Sequence, residues 1–104
     1  MSRDELMCRA KDALRCAFAD RLRGLVLYGS EARGAARPDS DVDLLVLLSS
    51  PVKHREDLWA SIRALYPLML DLERPIHPKP VDIAEYEDGA CPLYRQARQE
   101  GIMA

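Results

Sequence analysis

The sequence predicts an α/β domain with a small sheet, and three features of the 104-residue chain lead to that fold class. Apolar residues recur at helical spacing near the N-terminus, and two short apolar runs further on have the length of buried strands. Glycine and proline separate these segments. Because helical and strand patterns alternate along the chain, we expect residues 1–104 to form one α/β domain.

The first half of the chain contains clear helix and strand signals. Ser2 and Glu5 have the spacing of a capping box, so a helix is predicted to begin there and to continue through about Asp20. The apolar run that ends before Gly29 is typical of a buried strand. The elements predicted after the helix are a strand at 25–28, a loop at 29–40 with room for one helical turn, and a strand at 41–48.

The second half is predicted to contain a long helix, a strand and a last helix. The long helix covers residues 52–73, and Pro67 should kink or interrupt it because proline lacks the backbone donor. Its apolar stripe is Leu58, Ile62, Leu65, Met69 and Leu72. Three prolines then exclude helix before Val81: Pro75, Pro78 and Pro80. The remaining predictions are a strand at 81–86, a turn at 87–89, and a helix that begins at Pro92 and ends at Gly101.

The composition excludes several classes of protein. Fifteen basic and seventeen acidic residues give a net charge of −2, which argues against dedicated nucleic-acid binding. No apolar run approaches a membrane span, and the charged N-terminus lacks the apolar core of a signal peptide, so a cytoplasmic location is expected. The three cysteines, Cys8, Cys16 and Cys91, are widely spaced, which predicts reduced thiols rather than disulfides or a zinc site.

Two carboxylates stand close together in the second apolar run. Asp41 and Asp43 are two residues apart, so a strand places both on one face about 7 Å apart along the chain. Their repulsion favours a bound cation, and oxygen ligands favour Mg²⁺ or Mn²⁺. A pair of merely solvated aspartates is the alternative from these residues alone. A calcium loop that includes Asp39 is excluded, because Leu44 replaces the required glycine and Ser50 the closing glutamate.

A second feature is Gly29-Ser30, directly after the first predicted strand. Glycine lets a phosphate approach the backbone closely, and the serine hydroxyl can donate to a phosphate oxygen. By itself this dipeptide also fits a plain turn. Arg33 and Arg37 lie in the same loop, where they either face a polyphosphate or are solvated.

Taken together, these features resemble a known family. Gly29-Ser30, ten intervening residues and Asp41-Val42-Asp43 resemble the signature of the DNA polymerase beta-like nucleotidyltransferase superfamily. The full string LYGSEARGAARPDSDVDLLVLL is similar to its minimal nucleotidyltransferase branch, with Ala32-Arg33-Gly34 inside it. The tail at 93–102 adds support. The resemblance implies a small mixed sheet of three to four strands flanked by helices.

The resemblance also assigns roles to particular residues. Gly29, Ser30 and Arg33 are expected to bind the nucleoside triphosphate, ATP. Asp41 and Asp43 are expected to hold two Mg²⁺ ions, or Mn²⁺ in their place. A third carboxylate on a neighbouring strand completes such sites as a metal ligand near the attacking hydroxyl; here it is expected to be Asp82, with Glu85 and Asp88 as the next candidates.

The partner is also inferred from the resemblance. Minimal members are often encoded beside a helical protein of the HEPN class, and some are antitoxins that attach AMP to a tyrosine of that partner. An antitoxin that acts by binding alone, or a transferase for an antibiotic-type small molecule, are the alternatives, and self-association is a further expectation. His54 and His77 are read as solvated or capping residues, and Trp59 as a packing or partner contact.

Overall fold

The computed structural model describes residues 2–29, 41–89 and 91–103, with the backbone alone at 99–100 and 102–103. In this part of the chain one mixed sheet lies between two layers of helix. The elements are α1 (Arg3–Phe18), β1 (Leu22–Tyr28), β2 (Val42–Leu48), α2 (His54–Leu72), β3 (Ile76–Asp82), α3 (Ile83–Asp88), α4 (Pro92–Glu100) and β4 (Ile102–Met103), with a short 3-10 turn after α1.

The sheet has the strand order β3-β2-β1-β4. β1 is antiparallel to both β2 and β4, whereas β2 and β3 are parallel because α2 crosses over between them. β2 is therefore central, and its residues 44–48 are all at most 1% exposed. The mixed α/β fold predicted from the sequence is confirmed, with β4 and α3 as additional short elements.

Each face of the sheet carries its own apolar core. On one face α1 and α2 pack over alternate residues of β1 and β2, such as Leu27 and Leu44. On the other face α3 and α4 pack over the intervening residues, such as Val26 and Leu45. We call these the α1/α2 face and the α3/α4 face. Side chains point alternately to the two faces along a strand. Whether a residue stands at an odd or an even position of its strand, which we call its parity, therefore decides which helices it contacts.

The N-terminal helix and the last helix follow their sequence signals. The Ser2 hydroxyl accepts a hydrogen bond from the backbone N–H of Glu5 at 3.1 Å, so the predicted cap of α1 is confirmed. α4 begins at Pro92 and is followed by Gly101, also as predicted. All three cysteines are free thiols. None of the helices in the described ranges is long and apolar enough to span a membrane.

The third strand was placed wrongly from the sequence. The prediction of a strand at 81–86 fails because β3 spans Ile76–Asp82 and residues 83–88 are helical. β3 is an edge strand that pairs only with β2 in the described sheet. Pro78 and Pro80 are two residues apart, so the N–H groups they lack both face the open edge, where no ladder partner is needed.

The long helix also differs from its prediction. α2 runs without interruption through Pro67, whose ring is on the exposed side, where the carbonyl that loses its helical partner can bind water. The buried positions of α2 are Asp57, Ser61, Leu65 and Leu68. Of the expected stripe, Leu65 is buried, and Met69 and Leu72 are partly buried against the same core. The Asp57 carboxylate, which pairs with Arg21, also lies inward, and the apolar pattern did not indicate it.

Gly101 is a position where a side chain has no room, and its replacement by alanine should destabilise the fold. An added Cβ would stand 2.6 Å from Val26 Cγ1 and 3.0 Å from the backbone oxygen of Leu27, besides meeting the Ala97 carbonyl oxygen. Backbone atoms cannot move aside cheaply, so we expect Gly101→Ala to lower the free energy of unfolding by about 2 kcal/mol. Urea unfolding measures the change, and an unaltered midpoint would contradict this packing.

Candidate active site

The turn after β1 brings the backbone against a carboxylate. Tyr28 pairs with Asp43 across the antiparallel ladder, and Gly29 follows with a φ of 77°. A Cβ at this glycine would stand 2.7 Å from Asp43 Oδ2. Gly29 is thus required twice, by its left-handed backbone and by the closeness of the carboxylate. A phosphate held by this turn would lie beside Asp43.

The two aspartates stand at the start of β2. Asp43 pairs with Tyr28 on one side and His77 on the other, which gives it the parity of the α3/α4 face. Asp41 is exposed one residue before the strand, where the Val42 N–H donates to the Pro75 carbonyl at 2.9 Å. This hydrogen bond fixes the entry of β2 beside the start of β3. The expected neighbouring carboxylates are therefore at one end of the sheet.

His77 faces the pair from β3, which the sequence did not indicate. It is in register with Asp43, and its Nε2 lies 2.9 Å from Asp41 Oδ2, where the ring N–H donates to the carboxylate. Both side chains are more than half exposed, at 60% for the histidine and 55% for Asp41. The register of a parallel strand is set by long-range pairing, so sequence spacing gave no signal for this contact.

Asp82 does not join the pair, contrary to the expectation for the third carboxylate. It is in register with Leu48, whereas Asp43 is in register with His77, five residues earlier on β3. At about 3.3 Å per residue the separation along the sheet is on the order of 16 Å. Asp82 also has the opposite parity from Asp43, so it belongs to the α1/α2 face.

Asp82 instead has a local structural role. Its Oδ1 accepts a hydrogen bond from the Ala84 N–H at 2.8 Å, which caps α3, and its Oδ2 accepts one from the Ser50 hydroxyl. The Ser50 hydrogen bond, followed by the Ala84 N–H, lowers the pKa of the Asp82 carboxyl. An aspartate at a helix N-cap needs no further explanation.

Of the other residues predicted for the site or its surroundings, some lie within the described ranges and some do not. Ser30, Arg33 and Arg37 lie outside the described residues. Glu85 in α3 is close enough to Tyr94 for its charge to contribute to raising the pKa of that phenol, after burial and Cys91. Asp88 is the last residue of α3, and His54 is the exposed first residue of α2.

The donor set suits a hard divalent cation only in part. Within residues 2–29, 41–89 and 91–103, no group of three or more histidine, cysteine or acidic side chains is placed to hold a metal ion. Asp41 and Asp43 supply the oxygen donors that Mg²⁺ prefers. The pair therefore fits a metal bound together with substrate phosphates, which supply the remaining ligands in many such sites.

Tyrosines and a lysine continue the same face beyond Asp43. Burial, and then the negative charge of Asp43, raise the pKa of Tyr28. Lys79 is two residues after His77 on β3, and its ammonium lies 5.5 Å from the centre of the Tyr94 ring. Tyr28, Lys79 and Tyr94 were not assigned to the site from the sequence, because the strand pairing and the position of α4 together bring them to this face.

Replacement of Gly29 by alanine should disturb the site more than the fold. The left-handed backbone costs a non-glycine residue about 1–2 kcal/mol, and the new Cβ would push the Asp43 carboxylate away. We expect nucleotide affinity to fall at least tenfold, measured by isothermal titration calorimetry. Gly89→Ala is the matched control, since its φ is 71° and its nearest contact is 3.7 Å away. Equal nucleotide affinity in the two variants would contradict the role of Gly29.

Comparison with family models identifies most of the chain. Residues 7–102 match the model of the nucleotidyltransferase domain. No curated protein sequence matches. A solved structure described as a minimal nucleotidyltransferase is 31% identical over 98% of this chain and 95% of its own, with a TM-score of 0.55.

More distant structures share the fold. A chain from a toxin–antitoxin crystal structure with AMP-PNP matches 93% of this chain and 70% of its own, with a TM-score of 0.68 and 18% identity. Spectinomycin adenyltransferase AAD(9) from Enterococcus faecialis, solved with ATP and spectinomycin, has a TM-score of 0.61 and 22% identity. Its match covers 86% of this chain and only 36% of the enzyme.

Proposed function

The chain belongs to the nucleotidyltransferase domain family, and on that premise we propose that it transfers AMP from ATP to a hydroxyl group of an acceptor. The observation that carries the proposal is the contact between the Gly29 turn and Asp43, with Asp41 two residues away. A turn that can hold phosphates thereby lies beside two carboxylates that can hold a cation. This is the arrangement that phosphoryl chemistry needs.

Each residue of the site has a proposed task. The Gly29 turn and the Ser30 hydroxyl bind the β- and γ-phosphates, with Arg33 beside them, and this fixes the direction of attack. Asp41 and Asp43 hold Mg²⁺, or Mn²⁺ in its place. When bound, the metal neutralises charge that develops on the phosphate oxygens. The acceptor hydroxyl attacks the α-phosphorus in line, its proton leaves to a base, and pyrophosphate departs.

The acceptor is proposed to be a tyrosine of a HEPN-class toxin, which would make this chain an antitoxin. The family resemblance and the fold likeness to a toxin–antitoxin chain support this proposal. The likeness to spectinomycin adenyltransferase supports nucleotidyl transfer but covers about a third of that enzyme. An antibiotic-type acceptor is therefore the weaker alternative.

A second candidate function rests on the described geometry. Asp82, the expected third carboxylate, does not lie beside Asp41 and Asp43, and His77 forms a hydrogen bond with Asp41. An antitoxin that neutralises its partner by binding alone would tolerate both features. Such a protein would keep the fold and the partner surface without needing a complete metal site.

One experiment separates these functions. The purified chain is incubated with ATP, MgCl₂ and the protein encoded by the neighbouring gene, and intact masses are recorded; a parallel sample contains spectinomycin in place of that protein. An AMP adduct on the partner's tyrosine supports the first proposal, and an adduct on the drug supports the small-molecule alternative. If the toxin is neutralised with no adduct on either acceptor, the enzymatic proposal fails and binding alone explains neutralisation.

A further inference from the structure

One face of α2 remains uncovered although it carries large apolar side chains. In the described part of the chain the exposed large hydrophobic residues are Trp59 at 58%, Tyr66 at 55% and Leu70 at 60%, all on this helix. With the exposed Arg63 they follow a 4-3-4 spacing. At 3.6 residues per turn these four positions lie within an arc of about 60°. We call them the α2 stripe.

The α2 stripe lies opposite the buried side of the helix. The buried positions Asp57, Ser61, Leu65 and Leu68 are centred about 180° away on the helical wheel. The stripe is therefore not a marginal part of the core but a separate apolar surface. Clustered exposed apolar residues on a folded domain usually mark an interaction site.

The chemistry of the stripe is complementary to itself. A 4-3-4 spacing is symmetric about its centre, so an antiparallel second copy places Trp59 opposite Leu70 and Arg63 opposite Tyr66, each pair occurring twice. Tryptophan against leucine buries apolar surface, and a guanidinium over a phenol ring is a favourable cation–π pair. Two-fold interfaces require this kind of self-complementary patch.

The surroundings of Arg63 leave room for the partner ring. Arg63 lines a depression of about 360 Å³ beside Trp59 and another of about 550 Å³ between α1 and α2. The second is floored by small side chains, among them Ala13, Ala17, Ala60 and Ala64. A tyrosine from a second copy can therefore approach the guanidinium without displacing bulky neighbours.

The charges of α2 argue against a lipid membrane as the partner that covers the stripe. The helix carries two arginines against three acidic residues, Glu56, Asp57 and Asp71. Helices that bind anionic membranes have a basic excess on the polar side. We propose that the α2 stripe is a two-fold interface between two copies of this chain, formed by antiparallel packing of their α2 helices. The interface lies on the solvent-exposed side of α2, which points away from the sheet, and is independent of the proposed catalysis.

The single tryptophan of the chain allows a direct test, because Trp59 is in the stripe. The protein is studied from about 1 µM to about 500 µM, the range in which small interfaces associate. We expect the mass by light scattering to double from 11.7 kDa and the Trp59 emission to shift to shorter wavelength over the same concentrations. A protein that stays monomeric throughout, or a dimer with unshifted emission, overturns the proposal.

Variants test the pairing itself. Arg63→Glu and Leu70→Glu should each weaken dimerisation at least tenfold, whereas Arg95→Glu, a matched charge reversal on α4, should not. The double variant Arg63→Glu/Tyr66→Arg should regain most of the affinity, because the antiparallel arrangement sets the new glutamate opposite the new arginine. A dimer insensitive to Arg63→Glu, or a double variant no better than the single one, overturns the antiparallel interface. Thermal melts verify that each variant is folded.

Discussion

Replacing Asp43 by asparagine should reduce nucleotidyl transfer by roughly 10³-fold or more, the loss typical of removing one member of a catalytic unit. Asparagine keeps the shape of the side chain but removes the negative charge that would hold the cation. The neighbours at Tyr28 and Gly29 should be little disturbed by this nearly isosteric change. The initial rate of pyrophosphate release with ATP and acceptor measures the effect, and circular dichroism verifies the fold.

Asp82→Asn is the matched control for that variant. It makes the same chemical change at the far end of β3, about 16 Å away on the opposite parity. Asparagine also caps helices well, so α3 should remain intact. We expect the transfer rate of Asp82→Asn to stay within about threefold of the wild-type rate. Replacement of a catalytic residue typically lowers the rate far more than this. A loss as large as that of Asp43→Asn would show that Asp82 does act in catalysis, against its position in the described sheet.

Local signals predicted much of this fold. The Ser2 cap, the apolar run of β2, and the proline and glycine that bound α4 are each decided by a few neighbouring residues. β3 was misplaced because Pro78 and Pro80 normally argue against a strand. The prolines are tolerated because this strand lies at the edge of the sheet. The position of a strand in the sheet depends on the tertiary structure, so no local sequence pattern indicates it.

The candidate site, like the fold, was predicted from the sequence only in part. The nearness of Gly29 to Asp43 follows from two strands joined along the chain, so motif spacing could indicate it. The residue opposite Asp43 on β3 depends on the register of a parallel pair whose crossover is a whole helix. A shift of the assumed strand by five residues exchanges His77 for Asp82. The motif therefore indicated the two aspartates, but the residue opposite Asp43 on β3 could not be identified from the sequence alone.

Asp57 shows a further effect that the apolar pattern missed. This carboxylate is 6% exposed and accepts hydrogen bonds from Arg21 at 3.1 and 2.9 Å and from the Lys53 N–H at 3.0 Å. Arg21 also donates to the Pro51 carbonyl, so one guanidinium ties the end of α1 to the start of α2. A carboxylate with these partners can take a buried position on α2, which a pattern of apolar residues alone does not indicate.

Arg21→Met should lower the free energy of unfolding by about 3 kcal/mol at neutral pH. Methionine keeps the aliphatic stem but leaves the Asp57 carboxylate buried, with the Lys53 N–H as its remaining hydrogen-bond donor among the described residues. Breaking such a pair costs about 3–5 kcal/mol when both groups are buried. The lower end applies because the Arg21 side chain is 41% exposed. Urea unfolding measures the loss, and Arg23→Met, at an exposed position of β1, is the control.

The acid dependence identifies the cause of that loss. The hydrogen bonds from Arg21 lower the pKa of Asp57 in the folded protein below its unfolded value of about 3.9. The pair therefore contributes fully above about pH 4, and its contribution is lost as the pH falls through the folded pKa. The stability gap between wild type and Arg21→Met should be constant between neutral pH and about pH 5 and should narrow below about pH 4. A gap that stays constant down to the acid unfolding limit would mean that Arg21 acts by packing against Phe18 and not through the charge of Asp57.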